Sequence, residues 1–130
     1  MDNLKFLKKN YYLNSSISYF KSNFEKRIKF IKQKIFLFDE IASFINNCID
    51  STKNVFIFCA GNSLIAKNIN CKKIFIKEID DKYHINHNEK ITYLDENVEN
   101  KLSECDSIII SDIEHQSNPT SNLLNLSKII

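Results

Sequence analysis

The chain predicts an α/β fold: a doubly wound, mostly parallel sheet of about four strands preceded by N-terminal helices. Two observations carry this. Val55-Phe56-Ile57-Phe58-Cys59 is a continuous apolar run, β-branched and aromatic, that stops just before Gly61. Runs of that length bounded by a turn signal suit strands buried on both faces, as in parallel sheets. Further apolar runs then alternate with helical patterns, which is the sequence signature of strand–helix–strand units.

In the N-terminal part, Asn14-Ser15-Ser16 is a helix-start signal. From Ile17 the apolar residues Phe20, Phe24, Ile28, Ile31, Ile35 and Phe38 recur mostly three or four apart. That period predicts an amphipathic helix. A second helix is expected from about Leu37 to Ile49; the spacing leaves open whether the chain breaks near Lys34. Asp50 to Asn54 forms the loop into the first strand. Gly61 is the single glycine, so one sharp turn has been given the residue that tolerates positive φ. Asn62 or Ser63 can then cap a helix through Leu64, Ile65 and Ile69. Ile74 to Ile76 is the second strand and ends toward Glu78. Asp81 to Lys90 is polar, and its His84 and His87 are expected to be exposed. Ile91 to Leu94 is a third strand running into Asp95 and Glu96. Val98 to Ser103 suits a short helix, and Asp106 to Asp112 a fourth strand. Pro119 stands where a last helix begins, running on from Ser121. Residues 1–50 are thus expected to be a helical extension. Residues 51–130 are expected to be a ligand-binding α/β domain, incomplete at its C-terminal end because four short strands leave an edge open.

Composition narrows the function classes. The 130 residues carry a formal charge of +2, and 43% of them are hydrophobic. That supports a core and argues against disorder. The lysines are dispersed among carboxylates and asparagines, so no nucleic-acid footprint is expected. No apolar run reaches the roughly 18 residues of a membrane span. Cys48, Cys59, Cys71 and Cys105 lack the spacing of a zinc site, so no metal is expected. They read as small apolar residues of a cytoplasmic protein.

The candidate site follows from strand ends. Strand, glycine turn, helix, strand and acid is the layout of a nucleotide-binding βαβ unit. The Cys59-Ala60-Gly61-Asn62 turn lets a ligand approach the backbone closely. Glu78, seventeen residues after Gly61, can accept two vicinal hydroxyls. Asp95 or Glu96 and Asp112 follow the next strands, and all converge on the switch point of an open sheet. His115 is a weak candidate for a general base.

These segments resemble class I S-adenosylmethionine-dependent methyltransferases. Val55 to Ala66 is similar to that family's first motif. Asp106 to Pro119, with Glu114-His115 inside it, is similar to its fourth. The resemblance spans about residues 40–130. It implies a Rossmann-like fold, S-adenosyl-L-methionine as cofactor, and a small-molecule or glycan acceptor. It also implies that Gly61 meets the methionine part, Glu78 the ribose, and Asp95 or Glu96 the adenine. Three positions depart from the family. Its first-strand acid is Ile57 here, its first glycine is Cys59 and its third is Ser63. A nicotinamide enzyme would want a glycine-rich turn that one glycine cannot supply. The alternative, favoured by the lost acid and glycines, is a non-catalytic Rossmann-like binding or interaction module.

Overall fold

The computed structural model describes residues 12–58, 63–94, 98–111 and 115–129. Its centre is a four-stranded sheet: β1 (Val55–Phe58), β2 (Ile74–Lys77), β3 (Ile91–Tyr93) and β4 (Ser107–Ile110). The strand order is β3-β2-β1-β4, and every pairing is parallel. The expectation of an α/β chain with a parallel sheet therefore holds, and the sheet is wholly rather than mostly parallel; β1 and β2 are buried, whereas β3 and β4 are half-buried. All four β1 residues are buried. Alternate side chains point to opposite faces, so β1, β2 and β4 each feed two cores.

One core holds Phe56, Phe58 and Phe75, with Ile108 and Ile110 packed against them. The other holds Val55, Ile57, Ile74 and Ile76, with Ile109 alongside. The crossovers divide the same way. The β1–β2 connection carries a 3-10 helix, Ser63–Asn68, whose Ile65 and Ala66 join the second core. The β3–β4 connection carries α4 (Val98–Leu102), whose Leu102 joins the first. These connections run in opposite directions along the sheet. Right-handed crossovers must then lie on opposite faces.

The N-terminal period does not form one long helix. It is cut into α1 (Asn14–Ser22), α2 (Phe24–Gln33) and α3 (Ile35–Asn46). Asn23 and Lys34 interrupt it, with φ/ψ of −115/21° and −107/17°. At the first break the side chains of Ser22 and Asn23 both donate to the Tyr19 carbonyl, competing with the helix ladder. Packing explains the second. Phe24 and Ile28 lie against the first core, whereas Phe38, Ile41 and Ile45 lie against the second. A straight helix cannot serve both faces, so the chain bends at Lys34.

The α3 helix also ends earlier than its apolar period, which runs on to Ile49. Asn46 donates to the Asn68 carbonyl and accepts from the Asn70 N–H, clamping the helix end to the first crossover. The helix expected after the glycine turn is the 3-10 helix, a form used in such short connections. The last helix, α5 (Pro119–Ile129), starts at the proline itself. Asn118 before it has φ 53°, a left-handed conformation that asparagine tolerates. His87 is exposed, but His84 is not. It stacks on Tyr93 at 4.2 Å with 17° between the planes. No helix of the described residues is long and apolar enough to cross a membrane.

Candidate functional site

The first connection leads from β1 to β2, and the last crossover leads from β3 to β4 on the other side of β1. The strand order thus reverses between β1 and β4. In an open parallel sheet, ligands bind outside the carboxyl ends at such a point. The N–H of Ser111 extends the pairing past β4 by donating to the Phe58 carbonyl at 3.0 Å. The carboxyl ends of β1 and β4 are thereby held level.

Glu78 follows β2 directly and is only 5% exposed. Its Oε1 accepts from the Ile79 N–H at 3.2 Å. A carboxylate so enclosed is costly unless other groups answer its charge. Residue 78 is therefore not a solvated strand-end acid. Ile57, which stands where the resembled family keeps an acid, is fully buried in the second core.

His115 lies five residues beyond β4 and is half-buried. Its Nδ1 shares a hydrogen bond with the Ser16 hydroxyl at 3.2 Å. Its ring meets Phe20 edge-to-face at 5.2 Å and 83°. One nitrogen is thus engaged in holding α1. Cys59, Ala60, Gly61, Asn62, Asp95, Glu96 and Asp112 lie outside the described residues. Of the candidates, the structure describes Glu78 and His115, both at the carboxyl side of the sheet. Among the described residues no group of three or more His, Cys, Asp or Glu side chains could hold a metal ion.

The residues that sequence reasoning missed come from the N-terminal strap, Tyr12 to Phe20. Tyr12 is buried and forms an antiparallel bridge with Gln116. Leu13 N–H donates to the His115 carbonyl at 2.9 Å. The Tyr12 hydroxyl donates to the Lys77 carbonyl at 3.1 Å. Farther along the strap, the Phe20 carbonyl accepts from the fully buried Tyr83 hydroxyl at 3.2 Å. The strap therefore joins the end of β2 to the segment after β4. The sequence does carry a trace of it, in the Tyr11-Tyr12 pair just ahead of the helix-start signal. Nothing in that pair reports what the aromatic ring meets.

No protein-family model, curated protein or solved structure matches this chain.

Proposed function

We propose that this chain is a Rossmann-like S-adenosyl-L-methionine-binding domain. The activity proposed for it is methyl transfer to a small-molecule or glycan acceptor. The observation that carries the reading is Glu78: a buried carboxylate at the carboxyl end of β2, next to the strand at which an all-parallel sheet reverses its order. A carboxylate there can take two vicinal ribose hydroxyls in charge-assisted hydrogen bonds. It suits the cofactor's nucleoside part, and the sequence resemblance supports the same role.

In this reading Glu78 orients the nucleoside. The strap and its aromatic residues exclude water over the strand ends. His115 stays at the rim, with its Nδ1 committed to Ser16. When bound, the cofactor supplies an electrophilic methyl on a sulfonium. The protein's part is then mainly alignment of the reacting groups.

Calorimetric titration with S-adenosylhomocysteine tests this directly. Saturable binding at a single site is expected. Glu78→Ala should weaken it by about 1.5–3 kcal/mol, the range for a charge-assisted hydrogen bond. Unchanged affinity in a folded Glu78→Ala variant refutes the ribose role. No binding to the folded wild-type chain refutes the cofactor itself.

A second reading has its own support. Ile57 is inside the core and gives the cofactor's charged end no anchor. A degenerate binding module without methyl transfer fits that substitution, and it predicts a folded chain that ignores S-adenosylhomocysteine.

A further inference from the structure

The strap is fastened at two points through Tyr12. At one the Tyr12 backbone is bridged to Gln116, beyond β4. At the other its hydroxyl reaches the Lys77 carbonyl at the end of β2. Tyr12 packs in the core that holds Phe58, the last residue of β1. It is only 5% exposed.

The acceptor atom matters. The Lys77 carbonyl belongs to the same rigid peptide unit as the Glu78 N–H. A hydroxyl fixed on that oxygen restrains the peptide plane, and the plane, together with the Glu78 φ, sets the direction in which its side chain leaves the backbone. Lys77 is also the last β2 residue in register with β1, opposite Phe58. The tyrosine acts at that end of β2.

We propose that Tyr12 is a positioning residue of the ligand site: it restrains the Lys77–Glu78 peptide and thereby aims the Glu78 carboxylate. This rests on the reading of Glu78 as the acid that holds a ribose. The strap is then a working wall of the site, and it makes the N-terminal segment part of the binding unit.

The test is a double-mutant cycle on the full chain, read by titration with S-adenosylhomocysteine. Tyr12→Phe keeps the ring and removes only the donor. It should weaken binding about tenfold, the order of one lost hydrogen bond. Glu78→Gln should weaken it as well. In the Glu78→Gln background, Tyr12→Phe should cost much less than in the wild type, because the group it aims has changed. All four proteins are compared at a temperature where circular dichroism gives them the same helical signal, so loss of fold is not read as loss of binding. Equal penalties in both backgrounds overturn the positioning role. So does a Tyr12→Phe variant that melts earlier yet binds as the wild type does. If the wild type binds nothing, the ribose reading falls first and this role with it. Wild-type binding with an inert Tyr12→Phe removes this role alone.

Discussion

Cys105 and Tyr83 show how burial alone changes the chemistry of a side chain. Burial pushes the Cys105 thiol up to about 12, with Glu104 and Asp106 adding to the effect. Its Sγ lies 3.2 Å from the Lys101 carbonyl, a weak hydrogen bond that also favours the protonated form. Cys71 is shifted upward as well, by desolvation first, with Lys90 opposing it. Thiolate is the reactive species, so neither should alkylate readily in the native protein. Cys48 is exposed. A short iodoacetamide pulse at pH 8, mapped by peptide mass spectrometry, should label Cys48 well before Cys71 or Cys105. Equal labelling of Cys105 and Cys48 would show that the α4 end opens freely. At this scale the sequence was partly legible. Glu78 stood out by its distance from Gly61, and Cys71 and Cys105 are the small buried groups expected, whereas Cys48 is not. Tyr12 did not stand out, because its hydroxyl partner lies 65 residues away and no local pattern encodes that contact.

At the scale of elements, the strands were readable and the helix boundaries were not. A strand buried on both faces has to be apolar throughout, and Val55 to Phe58 and Ile74 to Ile76 announce themselves for that reason. The helical period behaves differently. It runs on through Asn23 and Lys34 because apolar residues are needed on both sides of each break, for one core at Asn23 and for two different cores at Lys34. Period reports that a face is buried, not against what. The α1 helix tests the point. Its Phe20 is 1% exposed and meets Tyr83, His115 and the Arg27 guanidinium at 5.9, 5.2 and 5.5 Å. Phe20→Ala should destabilise the protein by about 3–5 kcal/mol, the cost of emptying a large aromatic site. Urea unfolding followed by far-ultraviolet circular dichroism measures it. A loss below about 1 kcal/mol, within the range of surface substitutions, would mean that α1 rests on the sheet without being locked to it.

For the molecule as a whole, two buried protons link stability to alkaline pH. Tyr83 is pushed up to about 12 by burial, the nearby Arg27 opposing the shift, from the ordinary 10.0. Cys105 rises to about 12 from 9.0. Both groups hold their protons more tightly when folded. Their contribution is therefore full below about pH 9 and is lost as pH climbs toward 12. Unfolding midpoints in urea should be level from pH 7 to 9 and fall between pH 10 and 12. Tyr83→Phe should flatten part of that fall, and an unaltered alkaline profile in that variant would remove Tyr83 from the account. The strap has a different consequence, in time. Ser16 and His115 are 99 residues apart, and their hydrogen bond closes the strap onto the sheet. A ribosome adding ~5–20 residues per second needs roughly 5–20 s to make the second partner after the first. For that interval Phe20, Phe24 and Ile28 have emerged with no finished sheet to cover. The strap, made well before the sheet it closes on, is thus among the last segments to find its place, and nascent-chain chaperones have that window in which to bind it.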